Sequence, residues 1–346
     1  MGRTPTIRDV ALRAGVSVAT ASNVVNGVRP VGEASRRKVL EAIEALDYRL
    51  DRAASALRGR STRLVGMVVP DITNVFFAGL VHGVEALAER DGYDLLIVST
   101  SEDAAKERRR VEALIARRID GLIVVPADDE SMVALKDGSR LPPTVLIDRG
   151  AEAPGFDTVR ADCVAGAYAA ASHLVDLGHR NVAILIHSKR LDNIEQRIAG
   201  CRRALGEAGL DGRDRVIYGG HDLESLRGAI KLELDRADRP TAIFALTNVC
   251  ALASINAARG LGLGIPGDLS IVGFDDFDWM SALRPYLTTV AQPVDDFAAV
   301  AWRLLMRRLK GDTGTDIERI ELPCTLKVRE STGPARPRLK AVAEVR

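Results

Sequence analysis

From Leu64 onward the chain alternates short apolar runs with amphipathic helical segments, and few folds satisfy that pattern. The runs are LVGMVVP (64–70), YDLLIVST (93–100), GLIVVP (121–126), TVLIDR (144–149), NVAILIH (181–187), TAIFALTN (241–248) and LSIVGFDD (269–276). Helical stretches such as FFAGLVHGVEALAERDG and EQRIAGCRRALGEAG lie between them. Continuously apolar strands separated by helices imply parallel sheets covered on both faces. The stretch is too long for one comfortable sheet and divides into two similar halves. The later segments TTVAQP, ERIELP and TLKVRES read as strands that return to complete either half. In open α/β sheets ligands bind at the carboxyl ends of strands. Asp71, Asp148-Arg149, Asn248 and Asp275-Asp276, each closing an expected strand, therefore lie where a ligand would bind.

The first sixty residues follow a different pattern. Thr6 is placed to cap a helix IRDVALRA that stops at Gly15, and Ser17 to cap a second helix, VATASNVVN, that stops at Asn26-Gly27. A third helix is expected from about Ser35 to Leu46. Ile7, Val10, Ala11, Val16, Ala21, Val24, Val25, Val39, Ile43 and Leu46 fall at helical spacing and form one small core. Helix, short glycine-containing turn and helix is the helix-turn-helix pattern. Residues 49–62, RLDRAASALRGRST, read as a connector, either a solvated linker or a conditionally ordered helix.

Charge separates the same two regions. Residues 1–60 hold eleven Lys/Arg against six acids, a net of +5, and the remainder, thirty-seven against forty-one, carries −4. A basic head on a mildly acidic body points to a polyanionic partner for the head. Ser17, Val18, Ala19 and Thr20 at the start of the second helix, with Ser22 and Asn23 a turn later, would face the major groove of double-stranded DNA. Hydroxyls bond phosphate or base edges, Asn pairs with adenine, and Val or Ala methyls pack on thymine. Arg8, Arg29, Arg36 and Lys38 suit phosphate.

The stretch TIRDVALRAGVSVATASNVVNGVRPVGEASRRKVLEAIEALDYRLDRAASALRGRSTRLVGMVVPDITNVFF resembles the opening of the LacI/GalR family of transcriptional regulators. The likeness continues, in family order, through DGLIVVP, VLIDR, GHRNVAIL, RIAG, PTAIFALTN, LSIVGFDD and LTTVAQP, over nearly the whole chain. It implies an all-α helix-turn-helix DNA-binding head (1–48), a hinge helix or linker (49–62), and a two-lobed periplasmic-binding-protein-like α/β core with parallel sheets (63–333). The N-lobe would take about 63–161 and 293–323, the C-lobe about 162–291 and 324–333, and a tail would follow at 334–346. It further implies homodimerisation, a pseudo-palindromic operator, and a Leu57 pair wedged into the minor groove, where unstacking is offset by contacts with bent DNA. Thr6, Asn26, Arg29 and Ala54 complete the DNA-contacting set that the resemblance implies.

For the ligand site the resemblance puts Asp71, Asn74, Phe76 and Phe77 on the N-lobe side of an interlobe cleft. Arg149, Asp162, Asn193, Arg197, His221, Asn248, Asp275 and Trp279 would stand at or near it. Such a set suits a polyhydroxylated effector: carboxylates and amides pair with vicinal hydroxyls, and an aromatic face packs on C–H surface. A sugar or sugar derivative leads; a purine or nucleoside corepressor, or no effector, are the alternatives. Asp71 and Asp275 also fit as caps of following helices, and Phe76 or Phe77 fits the core as well as a ligand platform. Three departures from the family pattern stand out: Asn23 where most relatives have Arg, Leu50-Asp51 where Pro and Asn are common, and Asn248-Val249 where Asn-Asp is usual.

Other functions fit less well. Five scattered histidines and no GxSxG, HExxH or P-loop argue against an enzyme. Four dispersed cysteines without CxxC argue against a metal site, and no cofactor is implied. An N-terminus without an apolar signal core, and no apolar run of membrane-spanning length, argue for a cytoplasmic protein over a transporter-linked solute binder.

Overall fold

The structure is a computed structural model that describes residues 5–26, 30–48, 61–138, 141–150, 153–187, 191–211, 214–220, 222–282, 284–312 and 316–335. It divides into two compact units, Met1–Thr62 and Arg63–Arg346.

The first unit holds α1 (Ile7–Ala14), α2 (Val18–Asn26) and α3 (Glu33–Ala45). Thr6 starts α1: its N–H and its hydroxyl both donate to Asp9 Oδ2, at 2.7 and 2.6 Å. Gly15 ends it in the left-handed region, φ 66°, a conformation open to a residue without Cβ. Two residues later Ser17 Oγ accepts from Thr20 N at 3.0 Å and so caps α2. Val10, Ala11, Ala14, Ala21, Val39 and Ala42 are buried together, with Ile7, Val16, Val24, Val25, Ile43 and Leu46 packed around them. Every residue expected in that small core is in it.

The second unit contains two six-stranded sheets. The first has the order β11-β5-β4-β3-β1-β2, from β1 (Leu64–Val69), β2 (Asp94–Ser99), β3 (Gly121–Val124), β4 (Thr144–Ile147), β5 (Asp157–Ala161) and β11 (Arg319–Leu322). The second has the order β12-β10-β9-β8-β6-β7, from β6 (Val182–Ile186), β7 (Asp214–Tyr218), β8 (Ala242–Ala245), β9 (Ser270–Phe274), β10 (Thr288–Ala291) and β12 (Thr325–Lys327). Among the described residues all pairings are parallel except β10 with β12. The chain passes between the sheets at 161–163, 291–294 and 322–325.

Helices cover both faces, as central strands buried on each side require. On the first sheet α4 (Val75–Arg90) and α11 (Val294–Leu309) lie over Met67 and Ile123, while α5 (Ala104–Ala116) and α6 (Ser131–Gly138) lie over Val68 and Leu122. On the second, α7 (Cys163–Asp176) and α8 (Asp192–Glu207) cover Ile184 and Phe244, and α9 (Leu223–Leu234) and α10 (Asn248–Gly260) cover Leu185 and Ile243. Small residues set the spacing of α7 and α8. A Cβ at Gly200 would stand 2.3 Å from the carbonyl oxygen of Val164.

All seven apolar runs are strands, and the three later segments are β10, β11 and β12. β5 (DTVRA) and β7 (DRVIY) were not among the runs because their charged residues are satisfied in place. Arg308 holds the buried Asp157 carboxylate with two 2.8 Å bonds, and Arg215 of edge strand β7 pairs with Glu233 and Asp238. At the C-terminus the N–H of Ala335 donates to Leu177 O at 2.8 Å, two residues into the segment expected as a tail.

Candidate functional site

In the first unit the start of α2 presents polar groups on a capped, fixed turn. Ser17, Val18 and Ala19 are exposed, and Thr20, Ser22 and Asn23 are half-buried. The hydroxyls of Ser17 and Thr20 lie 2.8 Å apart, so one hydrogen bond orders both side chains. Arg8, Arg36 and Lys38 are exposed on the neighbouring helices. Thr6, by contrast, is engaged with Asp9. Asn26 is the last residue of α2. Arg29, Leu50, Asp51, Ala54 and Leu57 lie outside the described residues, as does His221 of the expected ligand set.

In the second unit the expected ligand residues converge on Arg197, a turn into α8 and 3% exposed. Its Nη1 donates to Leu246 O at 2.6 Å, and its guanidinium lies 3.7 Å from the Phe274 ring centroid. Burial works against the charge, but the Cys163 thiol and the carboxylates of Asp275 and Asp148 outweigh it, and the group stays cationic. Asp148 and Asp275 each follow directly on a strand end, β4 and β9, with left-handed φ of 67° and 74°. For Asp275 burial pushes the carboxyl above its ordinary range, against the pull of Arg197 and Gln292. Backbone strain of this kind persists where surrounding structure enforces it, and it clusters at functional sites.

The two sheets meet through side chains from their strand ends. Asn248 Nδ2, at the start of α10, donates to Asn74 Oδ1 at 3.0 Å and to Asp275 Oδ2 at 3.3 Å. Asn74 Oδ1 also caps α4 by accepting from Phe76 N at 3.1 Å. Gln292, just past β10, donates to Asp275 Oδ1 at 2.6 Å. Asn193 Nδ2 donates to Asp148 Oδ2 at 2.9 Å. Among the described residues, five buried polar atoms in this group have no hydrogen-bond partner: Asp148 Oδ1, Asn193 Oδ1, Gln292 Oε1, Arg197 Nε and Arg149 Nε, the last with Asp148 Oδ2 3.7 Å away.

Not every expected residue joins the convergence. Asp71 folds back on Thr73, accepting from its N–H at 2.9 Å and its hydroxyl at 2.7 Å; the cap of α4 is Asn74. Asp162 caps α7 by accepting from Ala165 N at 2.8 Å. Phe76 packs edge-on against Phe77 and Phe297 in the core, with 5% exposure, and Phe77 has 4%. Trp279, on a short 3₁₀ turn (Asp278–Ser281), packs against the core under α9 and α10. Val249, where the family pattern has an acid, packs there too. Conversely, Gln292 and Glu102 join this group from outside the expected set, and Asp148, expected only as a strand end, pairs directly with Asn193. The strand-end rule finds Gln292 once TTVAQP is read as a strand, whereas Glu102 carries no such signal.

Residues 6–51 match the model for "Bacterial regulatory proteins, lacI family", and residues 171–332 match that for a "Periplasmic binding protein-like domain". The chain is 34% identical to the HTH-type transcriptional repressor PurR of Photobacterium profundum, over 94% of this chain and 98% of that protein. The chain belongs to the lacI family of bacterial regulatory proteins. Catabolite control protein A of Priestia megaterium is 36% identical over 94% of this chain and 99% of its own length. Among solved structures, the lac repressor dimer bound to operator and the anti-inducer ONPF superposes with a TM-score of 0.85, at 26% identity over 96% of this chain and 100% of that one. A LacI family transcriptional regulator from Enterococcus faecium with bound ribose gives a TM-score of 0.69 at 27% identity, over 79% of this chain and 100% of that one. As a lacI-family member, this chain pairs a helix-turn-helix head with a periplasmic-binding-protein-like core. Among the described residues, no helix is long and apolar enough to cross a membrane.

Proposed function

We propose that the chain is a repressor that binds a pseudo-palindromic operator as a homodimer and answers to a small neutral effector held among Arg197, Asp148 and Asp275. Its relatives are transcriptional regulators, one of them solved as a dimer on operator DNA. Such work on the chromosome is cytoplasmic. Ser17, Val18, Ala19, Thr20, Ser22 and Asn23 read the major groove, and residues 49–62 with Leu57 act at the operator centre.

The observation that carries the effector reading is the set of five orphaned buried polar atoms where the two sheets meet. Each unpaired buried group costs about 1–3 kcal/mol, and a ligand bearing several hydroxyls supplies the missing partners. A sugar fits this demand, and a structural relative holds ribose. A purine or nucleoside has less support, because Phe76 and Phe77, the rings that would stack a base, expose only 5% and 4% of their surface. A ligand seated between the lobes shifts their arrangement only by preferring one arrangement over the other.

Selection of bound sequences from a random DNA pool tests the DNA half. The expected product is a two-fold-symmetric site with two half-sites; an unordered or single half-site product overturns it. A thermal-shift panel of sugars and nucleosides tests the effector half, since a true ligand raises Tm by mass action.

A further inference from the structure

The second cation of the site, Arg149, is already occupied. It follows Asp148 beyond β4 and is 8% exposed. Glu102 meets both arms of its fork: Arg149 Nη1 donates to Oε2 at 2.7 Å and Nη2 to Oε1 at 3.1 Å. Nη1 also donates to Pro126 O at 3.1 Å. Glu102 sits two residues past Thr100 on a turn where both Ser101 and Glu102 take left-handed φ, 56° and 60°. Lys106 Nζ braces that turn by donating to Ser101 Oγ at 2.8 Å. The Glu102 side chain is 38% exposed, so the pair has one partner inside and one at the surface. A bidentate guanidinium–carboxylate pair uses the same geometry by which arginine grips phosphate.

The other guanidinium is held closely and leaves only its Nε without a partner. Arg197 gives Nη1 to Leu246 O and is faced by the carboxylates of Asp148 and Asp275. Three carboxylates, Glu102, Asp148 and Asp275, thus accompany two guanidiniums. Of the five orphaned atoms, Asp148 Oδ1, Asn193 Oδ1 and Gln292 Oε1 are acceptors and outnumber the two donors, Arg149 Nε, which has Asp148 Oδ2 3.7 Å away, and Arg197 Nε. The acceptors call for donors, which a phosphate or carboxylate group lacks and a hydroxyl has.

We infer that Glu102 is a specificity-determining residue: by filling the Arg149 fork it reserves the site for uncharged, hydroxyl-rich ligands and turns away their phosphorylated or carboxylated counterparts. This rests on reading the Arg197 site as the effector site. Releasing the fork opens a bidentate anion seat beside it.

The test uses the full chain, unmodified and as Glu102→Gln, against neutral mono- and disaccharides, their 6-phosphates and the matching uronates, with Tm shift and titration calorimetry as readouts. The unmodified protein is expected to bind a neutral sugar and to bind its charged counterparts at least about tenfold more weakly. Charge-assisted hydrogen bonds contribute about 1.5–3 kcal/mol, so Glu102→Gln should improve anion binding about ten- to a hundredfold relative to the neutral sugar. Glu102→Asp, which keeps the carboxylate, should retain the original preference. Equal or tighter binding of a phosphate or uronate by the unmodified protein overturns the inference, as does an unchanged ratio in Glu102→Gln. Silence of the whole panel on both proteins instead overturns the effector reading, and the inference falls with it.

Discussion

Asn193 and Asp148 join the two lobes: Asn193 Nδ2 of α8 donates to Asp148 Oδ2 just past β4 at 2.9 Å, while Asn193 Oδ1 and Asp148 Oδ1 accept no hydrogen bond from the described residues. This amide therefore helps tie the two lobes together while leaving two buried acceptors unmet. Asn193→Ala removes the donor and leaves a buried carboxylate with neither oxygen hydrogen-bonded, its Oδ2 keeping only Arg149 Nε at 3.7 Å. A loss of about 1–3 kcal/mol is expected in urea unfolding, together with weaker stabilisation by any sugar that binds the parent protein. A variant with unchanged midpoint and ligand response would show that this bond carries no energy.

Arg197→Met should cost more. Two buried carboxylates lose their common cation, and breaking a buried ionic group by removing one partner costs about 3–5 kcal/mol. The pH response separates charge from packing. Burial holds the Asp275 carboxyl above its ordinary range even with Arg197 present. A raised carboxyl contributes stability that is present at low pH and lost as pH rises through the folded-state value. Removing the guanidinium raises that value further, so the deficit of Arg197→Met should shrink as pH falls from about 7 towards about 5. A deficit independent of pH would assign it to lost packing on Phe274.

The neighbouring acid behaves in the opposite sense. Burial alone would raise Asp276, but Arg329, Lys327 and the Thr289 hydroxyl bring it down to about 2. A lowered carboxyl contributes stability present above its unfolded value and lost as pH falls through the folded one. Asp276→Asn should therefore be destabilised at about pH 5–7, with the gap to the parent closing as pH drops from about 4 to about 2. Denaturant midpoints across that range check it; a gap that widens in acid would contradict the assignment.

In the head, Ser17→Ala removes the acceptor for Thr20 N and the partner of its hydroxyl, so the head should lose about 1 kcal/mol and operator affinity should fall with it. Asn23→Arg adds a cation to the half-buried face of α2. If Asn23 lies against DNA, the slope of log K against log salt should steepen by about 0.9. An unaltered slope in filter binding or anisotropy would place Asn23 away from the backbone.

Legibility followed burial. Central strands read clearly because both faces are apolar, and the head's core could be listed from spacing alone. β5 and β7 were hidden because Asp157 and Arg215 are neutralised by partners far along the sequence, which no local window displays. In the site, Arg197 and Asp275 were legible from their local motifs, and the bond of Asp275 to Asn248 follows from parallel strands ending on one side. Glu102 was not legible. Its role depends on a fork contributed forty-seven positions later and on a left-handed turn that its own sequence, STSED, does not announce. Phe76 and Phe77, which fit core or ligand platform equally well in sequence, are buried, with the Arg149 guanidinium 5.6 Å from the Phe77 ring centroid.

The three passages between the sheets also bear on how the protein is made. The first sheet cannot seat β11 against β5 until residues 319–322 exist, and the second cannot close β12 on β10 until 325–327 exist. Neither lobe is a finished unit partway through synthesis. Each waits, with an open edge, for the last few dozen residues, so the lobes complete together and a late truncation damages both at once.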